Sequence, residues 1–350
     1  MDIRPFFIHP EKSVLEAMRQ LESTGRRILF VTDEQDRLQG SVTDGDVRRF
    51  IVSGGKLEAP VARAANPAPR RLLAEDHCDA REYLRLYGID AVPLVAADGR
   101  VVDVVFDERL AAPACGQIGL PVVIMAGGLG TRLYPYTKIL PKPLIPIGEK
   151  PIAEHIIDHF RRFGCTDFRF IVNYRKNMIK SYFSEQGGDY TIAYYEEEKP
   201  LGTGGGLSLL KGSLNSTFIL TNCDVLVRAD YADVCRYHRE QNNVITMVCA
   251  VQHTSIPYGV VELTAEGRIA AMTEKPQLNY LTNTGVYVVE PCVVEQLQSG
   301  VSIGFPEIIE QWRQKDNNRV GVYPVSENSW MDMGQLETLE DMRQRMENIG

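Results

Sequence analysis

The sequence predicts an α/β protein in two parts: a smaller α+β module, followed by a domain with a mostly parallel sheet. In the second part, short apolar runs alternate with amphipathic helical segments, the order expected of a parallel sheet with helices on both faces. In the first part, one pattern of helix, strand, turn and strand occurs twice. The length of 350 residues also fits about two domains. We therefore predict a module over residues 1–112, a linker over 113–120 and a larger domain over 121–350.

The internal repeat has an offset of 63 residues, which is the spacing between Gly25 and Gly88, and it also aligns Arg37 with Arg100. In both copies, apolar residues at helical spacing precede a glycine, and two apolar runs flank a polar turn. The predicted elements are helices at Glu11–Thr24 and Ala80–Tyr87 and strands at Ile28–Thr32, Leu38–Val42, Ala91–Val95 and Val101–Val105.

The larger domain begins with the apolar run Pro121–Met125, which has the length and composition of a buried parallel strand. Further strands are predicted at Phe168–Asn173, Thr191–Tyr195, Thr217–Asn222 and Val244–Gln252, and helices at Ile152–Phe163, Lys176–Gln186 and Tyr231–Gln241. Ligands of such sheets bind at the carboxyl ends of the strands, so the loops that follow these strands are the expected place of a binding site.

Composition argues against several classes of function. The net charge of −8 does not favour a nucleic-acid partner. The seven cysteines include no Cys-x-x-Cys pair, which favours reduced thiols in a cytoplasmic protein over disulfides or zinc. The amino terminus lacks the apolar run of a signal peptide, and no segment approaches the roughly 18 consecutive apolar residues of a membrane span.

A glycine-rich loop follows the first strand of the larger domain and reads AGGLGTRLYPYTKILPKP from residue 126 to residue 143. Such a turn leaves backbone N–H groups free to hold a phosphate, and Gly127, Gly128 and Gly130 carry no side chain that would block its approach. Arg132 and Lys142 add positive charge. No Gly-Lys-Ser/Thr follows the glycines, so this is not a Walker loop, and a leucine replaces the third glycine of the dinucleotide fingerprint.

This loop resembles the signature of the sugar-1-phosphate nucleotidyltransferases, the NDP-sugar pyrophosphorylases, in its ordered elements Gly-Gly-x-Gly-Thr-Arg-Leu and Pro-Lys-Pro. The resemblance implies a Rossmann-like, mostly parallel sheet in which the loop and Lys142 hold the triphosphate of an NTP. It makes Arg132 and Lys142 the catalytic cations. The loop residues that it assigns to the nucleotide are Ala126, Gly127, Gly128, Gly130 and Thr131.

A second glycine loop, Leu201-Gly-Thr-Gly-Gly-Gly206, resembles the Leu-Gly-Thr segment that lies against the base and ribose in this family. The resemblance assigns Gly202, Thr203 and Gly205 to the nucleotide. Pyrimidine-specific members with a Gly-Leu-Ala-Gln version use the glutamine to read the base, whereas the glycine at position 205 leaves room for a purine. The sequence Leu-Gly-Thr-Gly-Gly of this loop is like that of guanylyltransferases, although some uridylyltransferases share Leu-Gly-Thr-Gly.

Two aspartates are candidate metal ligands. Asp224 ends an apolar strand, where a carboxylate can hold a Mg²⁺ ion that also touches phosphate oxygens. In the family the Asp at this strand end is the metal ligand, and Asp332 in Trp-Met-Asp-Met-Gly looks like the second one. The resemblance thus implies Mg²⁺ as the cofactor. The alternative is that each aspartate only caps a helix or a turn.

Three further segments resemble those that bind the sugar phosphate. Lys275 lies in Glu274-Lys-Pro, which is similar to the family's Glu-Lys-Pro, whose lysine contacts the sugar phosphate. Tyr-Gly259-Val and Asn283-Thr-Gly resemble segments that contact sugar hydroxyls. The residues assigned to the sugar phosphate are therefore Gly259, Glu274, Lys275 and Asn283.

The resemblance implies in-line attack of a sugar 1-phosphate oxygen on the α-phosphorus of an NTP, with release of pyrophosphate. Positioning and charge neutralisation suffice for this reaction, and no general base is expected because the attacking phosphate is already ionised. None of the six histidines falls in a motif, and we interpret His155 and His159 as a solvated or core-edge pair rather than metal ligands.

The layout is closest to bacterial guanylyltransferases of surface-glycan and nonulosonate pathways, including glucosamine-1-phosphate guanylyltransferases. We expect GTP and a hexosamine or hexose 1-phosphate as substrates. Two alternatives stay open. One is a uridylyl-, cytidylyl- or thymidylyltransferase of the same family. The other is a catalytically silent nucleotide sensor, against which the two candidate metal carboxylates argue.

The first module resembles a tandem pair of CBS domains. In that family the Thr and Asp of a T-x-x-D step bind the ribose and phosphate of an adenine nucleotide, and Thr43 and Asp46 match this step. The repeat places Phe106 at the position of Thr43 and Arg109 at that of Asp46, so at most one site is intact. Alternatively, Thr43 and Asp46 only cap a helix over Asp46–Ser53, and the module is structural or dimerising. CBS pairs often associate, so a homo-oligomer is expected.

Overall fold

A computed structural model describes residues 2–75, 79–107, 116–334 and 336–347. The chain divides into two compact units, Met1–Ala114 and Cys115–Gly350. The predicted linker lies partly outside the described residues, which lack 113–115, and residues 116–120 form no regular element. The α/β fold class predicted for the chain is confirmed, with the parallel-rich sheet in the second unit.

The first unit contains two small sheets. Its helices are α1 (Val14–Thr24), α2 (Asp44–Val52) and α3 (Ala80–Tyr87), and its strands are β1 (Phe7–Ile8), β2 (Ile28–Thr32), β3 (Leu38–Thr43), β4 (Leu72–Leu73), β5 (Ala91–Val95) and β6 (Val101–Phe106). The strands are ordered β1-β2-β3 in one sheet and β4-β5-β6 in the other.

The predicted repeat is visible in how the two halves of this unit meet. The N–H of Leu38 donates to the carbonyl of Gly99 at 3.0 Å, and the N–H of Val101 donates to the carbonyl of Asp36 at 2.9 Å. The two bonds are equivalent, because at the 63-residue offset Leu38 corresponds to Val101 and Asp36 corresponds to Gly99. The halves are therefore related by an approximate two-fold axis, as expected for a tandem pair.

Capping side chains explain where the predicted helix starts were wrong. α1 begins at Val14 rather than Glu11 because Ser13 caps it: its hydroxyl accepts a hydrogen bond from the N–H of Glu16, whose carboxylate accepts one from the N–H of Ser13. α2 begins earlier than predicted, at Asp44, because Thr43 is its cap. The interpretation of Asp46 as the first helical residue was therefore wrong.

The second unit holds the larger sheet. Its strands are β7 (Val122–Ala126), β8 (Pro146–Ile147), β9 (Lys150–Pro151), β10 (Asp167–Val172), β11 (Thr191–Glu196), β12 (Phe218–Asn222), β13 (Val225–Val227), β14 (Ile245–Ser255), β15 (Gly259–Leu263), β16 (Ile269–Glu274), β17 (Gln277–Val289), β18 (Val320–Val325) and β19 (Trp330–Asp332). Its helices are α4 (Ile152–Arg161), α5 (Lys176–Ser184), α6 (Gly202–Gly205), α7 (Tyr231–Glu240), α8 (Pro291–Glu295), α9 (Phe305–Lys315) and α10 (Leu336–Glu347).

The seven-stranded sheet has the order β11-β10-β7-β12-β17-β14-β18. In the described chain, β17 runs antiparallel to β12 and β14, and the other six strands run in one direction. The sheet is buried on both faces, because alternate residues of β7 enter two separate cores: Val122 and Ile124 lie in one, and Val123 and Met125 in the other.

A bulge interrupts the pairing of β14 and β17 at the place where β17 leaves the core. Val248 pairs with Val286, but Cys249 pairs with Asn283, so Thr284 and Gly285 are extra residues on β17. β14 stays buried as far as Val251, and from His253 onwards it forms a mostly exposed arm with β17. The hairpin β15–β16 connects the far ends of the two strands. The antiparallel β17 and this arm were not predicted from the sequence.

No helix among the described residues is both long enough and apolar enough to cross a membrane.

The two histidines of α4, His155 and His159, contact a backbone carbonyl and aromatic rings, respectively. The ring of His155 is hydrogen-bonded through Nε2 to the carbonyl of Ile147 at 2.8 Å. The ring of His159 lies edge-on to Phe160, Phe163 and Tyr231. Burial lowers the pKa of His159 from 6.5 to about 4. Both positions agree with the core-edge interpretation.

We predict that His159 makes the second unit acid-sensitive. Between pH 6.5 and about pH 4 the unfolded chain binds a proton at His159 that the folded chain does not bind. The free energy of unfolding therefore decreases as the pH is lowered through this window. The loss from this residue is about 3 kcal/mol. His159→Phe should therefore lose less stability than the wild type between pH 7.5 and pH 4.5.

The measurement is urea unfolding followed by tryptophan fluorescence, because both tryptophans, Trp312 and Trp330, lie in the second unit. His9→Phe is the control, since His9 is exposed. An identical pH dependence in His159→Phe and wild type would contradict the prediction.

Candidate active site

The carboxyl ends of neighbouring parallel strands bring the candidate loops together. β7 lies between β10 and β12, with Ala126 beside Val172 and Met125 beside Asn222. The glycine-rich loop and the segment with Asp224 therefore emerge at the same sheet edge.

A buried ion pair joins these two segments. Nζ of Lys142 donates to Oδ2 of Asp224, and the two side chains are only 12% and 14% exposed. Asp332 lies next to them, because Val225 pairs with Asp332 and the N–H of Met333 donates to the carbonyl of Asp224 at 2.9 Å. The structure thus brings Lys142, Asp224 and Asp332 together from three distant parts of the chain.

The charges of this cluster act on one another. Burial raises the pKa of Asp332, and the neighbouring Asp224 carboxylate raises it further. A hydrogen bond from the N–H of Gly334 and the positive charges of Lys142 and Arg132 lower it in part. Arg132 is exposed, in the turn Thr131–Leu133, and lies close enough to act electrostatically on Asp332.

The glycine-rich loop is open where a phosphate would approach. A Cβ placed on Gly128 would meet no described atom within 4 Å. Gly130 has a φ of +65°, in the left-handed region that favours glycine. The N–H of Leu133 donates to its carbonyl at 2.9 Å, which closes the turn that carries Thr131 and Arg132.

Glu197 is a candidate residue that sequence reasoning missed. It follows β11, and the residue is only 6% exposed. A Cβ on Gly127 would lie 2.5 Å from its Oε2, and a Cβ on Gly206 would lie 2.6 Å from its Oε1. The carboxyl group therefore sits between the two glycine loops, in a place that only glycines leave free.

One oxygen of Glu197 has no partner. Oε1 is buried and makes no hydrogen bond to any part of the described chain. Burial raises the pKa of Glu197, and a backbone hydrogen bond at Leu201 lowers it in part. In the sequence this residue is the middle of three consecutive glutamates, a run that normally indicates solvent. Alternation along β11 would not have found it, because residue 197 shares a strand face with Thr191 and Ala193, which are exposed.

The second glycine loop packs against the segment before α9. Oγ1 of Thr203 accepts a hydrogen bond from the N–H of Phe305 at 3.1 Å, and a Cβ on Gly202 would lie 2.7 Å from the carbonyl oxygen of Ile303. Gly205 is buried, and a Cβ there would lie 2.2 Å from the carbonyl oxygen of Val301. The expectation that Gly205 leaves room for a purine was therefore wrong, because the protein backbone fills this space.

The predicted sugar-phosphate residues lie on the arm and at its base. Gly259 pairs with Glu274 across the β15–β16 hairpin, and Lys275 is exposed with a φ of +47°. Asn283 lies at the bulge, where its Oδ1 accepts a hydrogen bond from the N–H of Gly285 at 3.0 Å. A Cβ on Gly285 would lie 2.4 Å from Nδ2 of Asn222, so the bulge is adjacent to the strand end that leads to Asp224.

The comparison with protein families agrees with this arrangement. Residues 121–349 match the model of the family described as nucleotidyl transferase. The chain belongs to the nucleotidyl transferase family. Residues 1–53 match the model of the CBS domain. The second half of the first unit shares the element order of the first half but lies beyond that match.

Curated relatives of this nucleotidyl transferase carry names that specify guanylyl transfer. It is 31% identical over 225 residues to "Mannose-1-phosphate guanyltransferase beta-B" of Xenopus laevis, a match that covers 62% of this chain and 61% of the relative. It is 32% identical over 228 residues to "Mannose-1-phosphate guanyltransferase" of Pichia angusta, covering 61% and 60%. The chain thus spans about 60% of the length of these curated relatives.

Solved structures share the fold of the nucleotidyl transferase unit. HddC from Yersinia pseudotuberculosis superposes with a TM-score of 0.51 at 21% identity, over 65% of this chain and 99% of that one. A putative glucose-1-phosphate thymidylyltransferase from Bacillus anthracis superposes with a TM-score of 0.52 at 20% identity, over 66% and 96%. HddC has also been crystallised in complex with GMP-PN.

In the CBS module the two predicted ligand residues bond to each other. Oγ1 of Thr43 accepts a hydrogen bond from the N–H of Asp46 at 3.2 Å and donates to Oδ2 of Asp46 at 2.6 Å, and Arg49 donates to the other oxygen. This is the capping arrangement of α2, and a ligand at Thr43 and Asp46 stays a prediction. Phe106 packs on Phe6, whereas Arg109 lies outside the described residues.

We predict that Gly205→Ala destabilises the nucleotidyl transferase unit by about 1–3 kcal/mol, because the added methyl overlaps the Val301 carbonyl in a packed region. Gly128→Ala is the matched control for stability, since its methyl meets no described atom. The measurement is the thermal unfolding midpoint of each variant without ligand. Equal midpoints for Gly205→Ala and wild type would show that position 205 has free space after all.

Proposed function

We propose that this nucleotidyl transferase is a sugar-1-phosphate guanylyltransferase that joins GTP and a hexose or hexosamine 1-phosphate into a GDP-sugar and pyrophosphate. The observation that carries the proposal is the cluster of Lys142, Asp224 and Asp332 at the edge of an open glycine loop. The relatives named as mannose-1-phosphate guanyltransferases support it. A product of this class would serve surface-glycan or nonulosonate biosynthesis.

In the proposed reaction the residues of the glycine-rich loop bind the triphosphate. The backbone from Ala126 to Thr131 presents N–H groups to the phosphate oxygens, and the open space at Gly128 admits them. Arg132 and Lys142 neutralise the charge that develops as an oxygen of the sugar phosphate attacks the α-phosphorus and pyrophosphate leaves. No side chain needs to take a proton, because the nucleophile is ionised.

The residues beside Lys142 fit a Mg²⁺ ion. Asp224 and Asp332 supply two carboxylates, and Mg²⁺ prefers one or two carboxylates together with phosphate oxygens. Both carboxylates are partly buried, and the pKa of Asp332 is raised by burial and, after that, by the neighbouring Asp224 carboxylate, whose negative charge a cation would compensate. When bound, Mg²⁺ neutralises charge on the reacting phosphates. Asp224 and Asp332 would hold it, and Lys142 would then turn from Asp224 to the phosphates.

The carboxylate of Glu197, whose Oε1 has no partner in the described chain, supports guanine as the base. A carboxylate accepts two parallel hydrogen bonds, and guanine offers two adjacent donors, N1–H and the 2-amino group. Adenine and cytosine place an acceptor at the centre of that edge, and uracil and thymine flank a single donor with two carbonyl oxygens. We infer that Glu197, with Gly202 and Thr203 nearby in the second glycine loop, selects GTP.

The sugar phosphate is assigned to the arm and its base. Lys275 would pair with the phosphate, while Gly259, Glu274 and Asn283 would contact sugar hydroxyls. Asn283 is the best supported of these, since its bulge adjoins the strand end before Asp224. Two alternatives remain to be tested: transfer of a uridylyl, cytidylyl or thymidylyl group, and a sensor that binds nucleotide without turnover.

The test of the proposed function is pyrophosphate release with Mg²⁺ across five nucleotides (GTP, ATP, UTP, CTP and dTTP) and a set of hexose and hexosamine 1-phosphates. We expect turnover with GTP and one or a few sugars, and Lys142→Ala should lose most of it. Turnover only with UTP, CTP or dTTP would retain the reaction and reject guanine. No turnover in any combination, with or without adenine nucleotides as effectors, would favour the sensor.

A further prediction concerns Glu197. Glu197→Gln replaces one acceptor oxygen by a donor, so kcat/KM for GTP should fall roughly 10- to 100-fold. The ratio of kcat/KM for GTP over inosine triphosphate, which lacks the 2-amino group, should also fall. Glu198→Gln is the matched control, because it makes the same change at an exposed neighbour. An unchanged ratio in Glu197→Gln would remove Glu197 from base selection.

A further inference from the structure

A chain of hydrogen bonds behind the glycine-rich loop is unexplained by the roles assigned so far. It begins at Thr137, whose side chain is fully buried. Its Oγ1 donates to the carbonyl of Gly130 at 2.8 Å. The same carbonyl accepts the N–H of Leu133, so both of its acceptor positions are used. The turn that carries Arg132 is therefore held at its first residue by Thr137.

Thr137 and Gly130 also fit each other in shape. A Cβ on Gly130 would lie 2.8 Å from Cγ2 of Thr137. The threonine methyl therefore occupies the space beside a glycine whose φ is +65°. The methyl and the hydroxyl together define the position of Gly130, one by contact and the other by hydrogen bonding.

Thr137 is held in turn by the loop that follows β10. The hydroxyl of Tyr174 donates to the carbonyl of Thr137 at 3.0 Å, and Nε of Arg175 donates to the Tyr174 oxygen at 2.8 Å. Nη2 of Arg175 donates to the carbonyl of Lys138 at 2.7 Å. Arg175 has a φ of +50°, a conformation that is uncommon outside glycine. β10 is the sheet neighbour of β7, from which the glycine loop emerges.

We propose that Thr137 and Tyr174 are positioning residues that hold the Gly130–Arg132 turn in the conformation that receives the triphosphate. Neither side chain touches the substrate in this role. They act through Gly130, whose orientation sets the direction of the following N–H groups and of Arg132. The inference rests on the proposed nucleotidyl transfer, because the turn matters only if it binds phosphates.

The central variant is Thr137→Val, which keeps the shape of the side chain and removes the hydroxyl. The Gly130 carbonyl then lacks its donor, and the turn can relax away from the reactive geometry. We expect kcat to fall about 10- to 100-fold, since small misplacements of a reacting group have effects of this size. Thr137→Ser retains the hydroxyl and should recover most of the activity. Tyr174→Phe should lower kcat in the same direction, by a smaller factor.

Tyr182→Phe is the matched control. Tyr182 is also a half-buried phenol with one acceptor, Oε2 of Glu154 at 2.7 Å, but it lies in α5 outside this chain of bonds. It should keep wild-type kcat and KM. All variants are assayed below their unfolding midpoints, with folding checked by circular dichroism. A loss in Thr137→Val that Thr137→Ser restores distinguishes positioning from a general loss of stability.

Equilibrium binding of GTP with Mg²⁺ to the wild type separates this inference from the proposed function. If the wild type binds GTP and turns over, but Thr137→Val keeps wild-type kcat and GTP affinity, the positioning role is wrong while the function stands. If the wild type binds none of the five nucleotides, the proposed function fails and the positioning role fails with it. A kcat loss in Thr137→Val with rescue by serine supports both.

Discussion

The ion pair between Lys142 and Asp224 is the interaction on which the geometry of the site depends. It joins segments 82 residues apart in the chain, and both side chains are largely buried. A carboxylate in such a place is costly unless a charge or hydrogen bond compensates it, so each partner specifies the position of the other. The strands supply the spacing, because β7 and β12 are hydrogen-bonded neighbours. Asp332 joins the cluster through its strand pairing with Val225.

The glycines of the two loops serve different physical purposes, although they look alike in the sequence. Gly128 leaves space that a ligand can enter. Gly127 and Gly206 leave space that the Glu197 carboxyl group already occupies, and Gly205 leaves space for the backbone at Val301. A glycine-rich motif therefore combines a binding surface with close packing, and only the neighbours of each Cα distinguish the two. For this reason the glycine at position 205 does not reveal the size of the base.

Much of the second unit could be predicted because its strands are buried on both faces and its helices have one apolar side. The run before Gly127 and the helix after Pro151 are examples in which local pattern and final structure agree. The antiparallel β17 could not be predicted in the same way, because the direction of a strand depends on its partners. Glu197 could not be predicted as a site residue for a related reason. A carboxylate beside two other glutamates is buried only if loops that are distant in the sequence cover it. The candidate site was therefore predictable where it follows an ordered motif, and unpredictable where tertiary contacts decide.

Under the proposed function the site must hold two anions, although the formal charges of the four charged side chains around the triphosphate loop balance. Arg132 and Lys142 contribute two positive charges, and Asp224 and Asp332 contribute two negative ones when both are ionised. Lys142 is moreover already paired with Asp224. Side-chain charge alone therefore gives a triphosphate little reason to bind. The contribution that no acidic group offsets is that of the backbone N–H groups, whose partial charges act only where the loop points them at the phosphates. Phosphate affinity then depends on loop conformation as much as on charge, which gives uncharged residues such as Thr137 their importance.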